Sequence, residues 1–301
     1  MKILITGATG LIGQEIVRIC RQSSIAVHYL TTSTDKIISE PDYKGYLWNP
    51  KKGEIDLDCF KGVEVIINLV GASVAQRWTT EHKKEIINSR VDTAHLIFTT
   101  LRKIKHTVHH IVSASAIGIY PDSLTNYYKE DAEEKNPNFL GEVVKKWEAA
   151  VFAFNELNIK VSAIRIGLVL AKEGGAFPKI AKPIRYGVGA AFGSGKQWQS
   201  WIHVEDLAHL FLFVVNKKLS GIFNGVAPNP VSNEKLTSTT AEVIGKKIWL
   251  PNVPRFVMKL VLGDMHVLLF SSQRVSSDKI TEEGFQFKYD SIVPALEDLL
   301  A

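Results

Sequence analysis

Three glycines stand three residues apart in Thr6-Gly7-Ala8-Thr9-Gly10-Leu11-Ile12-Gly13. A short apolar run, residues 2–6, leads straight into them. Apolar residues at helical spacing, Leu11, Ile12, Ile16, Ile19 and Cys20, follow at once. In such a strand–loop–helix unit the first glycine permits a tight turn, and the second lets the backbone approach a bulky anion. The third lets the helix pack close against the strand. The helix N-terminus then meets the anion with free N–H groups and the positive end of its dipole. That is the chemistry of gripping a pyrophosphate, so the expected ligand is a dinucleotide, with Gly7, Thr9, Gly10, Leu11, Ile12 and Gly13 as its contacts.

Which dinucleotide depends on the end of the second strand, about 20 residues past the loop. There the chain reads Leu30-Thr31-Thr32-Ser33-Thr34-Asp35-Lys36. A carboxylate at that point would bond the 2′-hydroxyl of NAD(H), and none stands there; Asp35 comes a few residues late. The hydroxyls of Thr31, Thr32 and Ser33, with Lys36 nearby, suit a 2′-phosphate and favour NADP(H) over NAD(H).

The elements that must hold this loop alternate over the first 170 residues. Strands are expected at 2–6, 26–31, 63–70, 109–114 and 160–166, with helices at 11–20, 79–103 and 141–157. The run 63–70 is continuously apolar, as a strand buried on both faces should be. Alternation of this kind predicts an α/β fold, a Rossmann-type doubly wound parallel sheet spanning residues 1–170. Glycines then crowd residues 174–195, and helices are expected near 205–217, 233–245 and 254–269. Residues 171–301 are expected to form a smaller C-terminal α+β lobe, with an extension over about 250–298.

Composition excludes several classes. The chain has 301 residues, 46% hydrophobic and 22% charged, with a net charge of +5. No apolar run reaches the roughly 18 residues needed to span a bilayer, so neither a membrane partner nor a signal peptide is expected. Cys20 and Cys59 carry no motif spacing, which argues against a disulfide framework or a metal site and for the cytoplasm. No basic stripe interleaves with aromatic residues, so no nucleic-acid partner is expected.

Further along, the chain carries Asn68-Leu69-Val70-Gly71-Ala72, Arg77-Trp78-Thr79, Ser89-Arg90, Ser113-Ala114-Ser115-Ala116 and Trp147-Glu148. It continues with Arg165-Ile166-Gly167-Leu168-Val169-Leu170, Trp201-Ile202-His203, Asn224-Gly225-Val226-Ala227-Pro228 and Gln273-Arg274-Val275. On these landmarks the whole chain resembles the extended short-chain dehydrogenase/reductase superfamily. Within it, the resemblance is to atypical epimerase-family (NAD-dependent epimerase/dehydratase-like) proteins with a C-terminal domain of unknown function. The resemblance implies that Leu69, Val70 and Gly71 run along the cofactor, that Arg90 contacts it, and that Val169 passes the nicotinamide. Ser115 falls at the place of the catalytic serine, where a hydroxyl polarises a substrate oxygen.

The same resemblance exposes a gap. The superfamily's proton-transfer pair reads Tyr-x-x-x-Lys, with a glutamate four residues on. Glu148 fits that glutamate, which puts Leu140 and Val144 where the tyrosine and lysine should be. Neither side chain can give or take a proton. Tyr120 is the substitute closest to Ser115 in sequence; Tyr127, Tyr128, Lys145, Lys146 and His203 are further candidates. Asp206 is expected to cap or orient the helix that follows it, and Phe192, Trp198 and Trp201 to pack in a core. Two functions stay open. One is an NADP(H)-dependent oxidoreductase or epimerase with an unusual catalytic set and an unknown substrate. The other is a catalytically silent nucleotide-binding or redox-sensing regulatory protein. By analogy with relatives, helix 79–103 could form a homodimer interface.

Overall fold

The computed structural model describes residues 1–301. Its centre is one large sheet. From one edge to the other the strands run Gly221–Gly225, Lys160–Ile166, His110–Ala116, Val65–Asn68, Lys2–Thr6, Ala26–Thr31 and Tyr43–Asn49, all parallel. Two antiparallel pieces, Ser39–Glu40 and Glu54–Ile55, flank the last of these. The central strands are apolar on both faces because helices cover both; Ile3, Leu4, Ile5, Ile66, Ile67, Ile111 and Val112 are fully buried.

The strand Tyr43–Asn49 has no helix before it and was not expected. Its polar and glycine residues break the apolar run, and Gly45 is there for space: a Cβ would lie 2.5 Å from the Tyr29 ring. The sheet also draws on residues beyond 170. Helix Val204–Asn216 packs against helix Leu11–Gln22, and Gly221–Gly225 completes the edge. The expected helix over 254–269 is broken. It runs Arg255–Leu262, turns at Gly263 with φ +58°, and resumes as Val267–Phe270.

The smaller lobe has its own core, in which Phe177, Trp201, Leu236, Tyr289, Leu296 and Leu299 come together from helices Phe177–Arg185, Asn233–Ile244 and Ile292–Leu300 and from the segments between them. Its tail is tied to the helix Val204–Asn216 by polar bonds as well as by Phe285 in the main core. The Asp206 carboxylate accepts hydrogen bonds from the backbone N–H groups of Lys288 and Tyr289, each at 2.9 Å.

One buried histidine makes the fold pH-sensitive. His110 lies in the sheet with its Nε2 2.9 Å from the Ser162 hydroxyl and no partner for Nδ1. Burial pulls its pKa down to about 4. Below about pH 6.5 the unfolded chain protonates this ring, while the folded chain resists until about pH 4, so stability is lost as pH falls through that window. Denaturant titrations of wild type and His110→Asn at pH 7 and pH 4.5 check this. The wild type should lose about 2–3 kcal/mol more than the variant over that interval. Equal losses would show that the ring is not held neutral.

Candidate functional site

The expected loop sits where the first strand ends. Gly7 has φ +75°, and a Cβ on Gly13 would lie 2.2 Å from the Gly7 carbonyl oxygen. Both glycines are therefore demanded by the turn and by the close helix–strand contact. Gly10 is different. Its φ of −83° and ψ of 172° suit any residue. A Cβ there would meet only the Gly7 oxygen, at 3.2 Å. The fold's demand for glycine is weaker here than at Gly7 and Gly13, since a Cβ would require only a small shift of the Gly7 carbonyl. Thr9 and Gly10 are exposed, Leu11 and Ile12 half-buried. Leu11 packs under the loop at Gly174 and Gly175, so the second half of the chain closes over the same helix end.

A buried polar ladder fixes the neighbouring strand ends. Thr6 Oγ1 donates to Asn68 Oδ1 at 2.7 Å, and Asn68 Nδ2 donates to Ser113 Oγ at 3.1 Å. Thr6 Oγ1 also accepts from the N–H groups of Leu69 and Val70, at 3.1 and 3.3 Å. The ladder places Leu69 and Val70 beside Gly7.

Arg90 reaches the same place from helix Thr80–Leu101. Its Nη1 donates to the carbonyls of Ala72 (3.2 Å) and Ile86 (2.8 Å), and its guanidinium lies 4.8 Å from the centre of the Trp147 ring. Gly71 makes the room, since a Cβ there would sit 2.7 Å from Cζ. Arg90 Nε is buried without a partner. Burial alone pulls the guanidinium down to about 10, with no carboxylate opposing it. A desolvated cation of this kind is an anion receptor in search of an anion. Together with Gly10 it fits a phosphorylated ligand.

At the second strand's end, Ser33 N–H donates to Thr31 Oγ1 at 3.2 Å, Thr32 is exposed and Ser33 half-buried. Asp35 is exposed in a short 3-10 turn that follows. Val169 lies in the strand Leu168–Leu170, paired with Ile202, and its carbonyl is 3.9 Å from the Cβ position of Gly175.

The residues expected to do proton chemistry are held otherwise. Ser115 is buried and its hydroxyl donates to Glu148 Oε1 at 2.7 Å. Glu148 is gripped in turn by Arg165, whose Nε and Nη2 reach its two oxygens at 2.8 and 3.0 Å. Tyr120 is fully buried, donates to Asn224 Oδ1 at 2.7 Å and accepts from Arg165 Nη1 at 3.0 Å. Burial pushes its hydroxyl up to about 12.

Leu140 packs with Trp78, Phe139, Met265 and Leu268, and Val144 with Ile119, Tyr120, Tyr128 and Val275. Lys145 and Lys146 are exposed, the latter bonded to Glu142. Tyr127 is exposed and Tyr128 stacks on Tyr120 at 5.2 Å. His203 caps the helix Val204–Asn216 by accepting from Glu205 N–H and lies 4.1 Å from the Tyr289 ring. Trp201 lies in the smaller lobe's core, Trp198 bears on Arg274, and Phe192 packs edge-on to Phe270.

Sequence reasoning missed the Arg165–Glu148 pair and the Trp147 platform under Arg90. The signal for the pair was present. An arginine in the apolar strand Lys160–Ile166 requires a buried acid.

Comparison with known proteins agrees with this geometry. Residues 3–224 match the NAD dependent epimerase/dehydratase family, and residues 253–299 match a domain of unknown function, DUF1731. The chain is 34% identical over 304 aligned positions to an epimerase family protein of Staphylococcus aureus, covering 99% of this chain and 98% of that one. Among solved structures, the human epimerase family protein crystallised with NADPH aligns with a TM-score of 0.85 at 25% identity, covering 99% of each chain. A nucleoside-diphosphate sugar epimerase of Corynebacterium glutamicum aligns with a TM-score of 0.79 at 26% identity, covering all of this chain and 58% of that one. The chain thus belongs to the NAD dependent epimerase/dehydratase family.

Proposed function

We propose that this chain is an NADP(H)-binding, oxidoreductase- or epimerase-like protein that lacks the family's usual proton donor. The observation that carries the binding reading is the glycine loop at a helix N-terminus, with the Leu69–Val70 backbone against Gly7 and, one residue on at Gly71, the guanidinium of Arg90, which has no counter-charge and a bare Nε. The Gly7–Gly13 loop would hold the pyrophosphate on its N–H groups, residues 69–71 would border it, and Arg90 would supply the neutralising charge. Thr32 and Ser33, with no carboxylate at the strand end, support a 2′-phosphate. The human relative's NADPH points the same way.

When bound, the nicotinamide supplies a hydride. The alkoxide that forms on a reduced carbonyl needs a proton. Ser115 has given its hydrogen to Glu148, and Tyr120 has given its own to Asn224 in a sealed interior. Leu140 and Val144 offer none. We assign Ser115 and Tyr120 to holding the fold and not to chemistry. That assignment also favours a second reading, a regulatory protein in which the bound dinucleotide is not turned over.

Three outcomes test the proposal. Gly10→Val should stay folded with at most a small drop in melting temperature, from the Cβ contact with the Gly7 oxygen, and lose NADPH affinity by at least about 100-fold, read by nucleotide fluorescence. Unchanged affinity would remove the loop from the site. Thr32→Asp should weaken NADPH by about tenfold or more and leave NADH the better ligand, because a carboxylate repels the 2′-phosphate. No change of preference would sink the NADP(H) assignment. Finally, NADPH oxidation over a panel of carbonyl compounds and sugar nucleotides separates the two functions. Steady turnover that survives Tyr120→Phe supports an enzyme with another proton source. Tight binding without turnover supports the regulatory reading.

A further inference from the structure

The five most exposed large hydrophobic side chains of the whole molecule are Leu260 (81%), Tyr186 (75%), Trp249 (71%), Phe256 (67%) and Val261 (66%). They lie in two adjoining segments. Trp249 Nε1 donates to the Gly187 carbonyl at 2.8 Å, and Val253 N–H donates to the Ala191 carbonyl at 2.8 Å. The chain then enters helix Arg255–Leu262, none of whose residues is fully buried. Phe256 and Leu260 are four residues apart on it, hence on one face, and Val188 extends the apolar surface at 53% exposure.

The two segments themselves carry charge of one sign, with Glu173, Glu205, Glu242 and Asp264 immediately outside them. Residues 174–204 contain Lys179, Lys182, Arg185 and Lys196 and no acid; residues 243–263 contain Lys246, Lys247, Arg255 and Lys259 and no acid. All eight cations are exposed and none belongs to an ion pair. Glu234 lies at the edge beside Gly195, and Asp264, just past the helix, is engaged by Lys83.

We propose that this face docks on a lipid bilayer carrying anionic headgroups. Aliphatic side chains standing out from a short helix suit acyl chains, tryptophan and tyrosine suit the interface, and lysines with long apolar stems reach back to phosphates. Charge decides against a second copy of the chain. A two-fold interface sets a patch against itself, so the cations flanking the apolar side chains would face their own copies. Nucleic acid fits less well: Tyr186, Trp249 and Phe256 can stack on bases, but the equally exposed Leu260, Val261 and Val188 cannot and would stay in water. The sequence's lack of a membrane-spanning run, and the lack in the structure of a helix long and apolar enough to cross a membrane, concern spanning and not lying on a surface. The proposal is independent of the dinucleotide reading.

Sedimentation with vesicles tests it. The full chain should pellet with phosphatidylcholine vesicles containing about one-quarter phosphatidylglycerol and stay in solution with phosphatidylcholine alone. Binding should weaken by at least about tenfold in Lys246→Glu/Lys247→Glu, and likewise in Phe256→Ser/Leu260→Ser. Both pairs are exposed, so melting temperature and NADPH affinity should not move. Absence of pelleting at low salt, or variants that pellet like wild type, would overturn the proposal. So would a concentration-dependent dimer in lipid-free buffer that Phe256→Ser/Leu260→Ser turns into a monomer, because it would give the face to a second copy.

Discussion

A single buried guanidinium organises the end of the sheet. Arg165 cannot leave its strand, and once inside it must be neutralised and fully bonded. Glu148 neutralises it from helix Phe139–Phe152, and Tyr120 and the Glu130 carbonyl take both Nη1 donors. Glu148 in turn captures Ser115, and Tyr120 binds Asn224, whose amide reaches the Ser276 carbonyl in the C-terminal tail. Strands, helix, loop and tail are thereby locked to one charge. Removing any member would strand a desolvated group, so the network explains why hydroxyls at the ordinary place for catalysis are committed elsewhere.

The glycine loop shows the opposite division of labour. Gly7 and Gly13 answer to the backbone: a positive φ at one, a carbonyl 2.2 Å from a Cβ position at the other. Gly10 and Arg90 are only partly accounted for by the fold. Gly10 has an ordinary φ, and a Cβ there would meet only the Gly7 oxygen, at 3.2 Å; Arg90 is tied to two carbonyls and to Trp147, yet keeps a bare Nε and no counter-charge. Features that cost stability and have no internal partner mark where a ligand completes the structure.

The parallel sheet and the loop were legible because strands buried on both faces are written as unbroken apolar runs and glycines have few other reasons to recur every third residue. Tyr43–Asn49 was hidden because it follows another strand without a helix and is only partly apolar. The helix from 254 was overdrawn because apolar periodicity runs through Gly263, whose left-handed φ ends it. Candidate roles for Ser115 and Tyr120 rest on position along the chain, and position does not say which partners a hydroxyl has. That depends on Glu148 and Asn224, 33 and 104 residues away.

The tail bears on why the tyrosine and lysine positions became aliphatic. Met265, Val267 and Leu268, from the turn after the exposed helix, pack on the cluster that holds Leu140. Val275, from the following strand, packs on the cluster that holds Val144. These positions serve as the floor on which the C-terminal segment rests. A lysine at Val144, which is 2% exposed, would bury an ammonium among Ile119, Tyr128 and Val275 with no partner. At Leu140 and Val144 packing has the stronger claim: a tyrosine and a lysine at these two positions would displace the side chains on which the C-terminal segment rests.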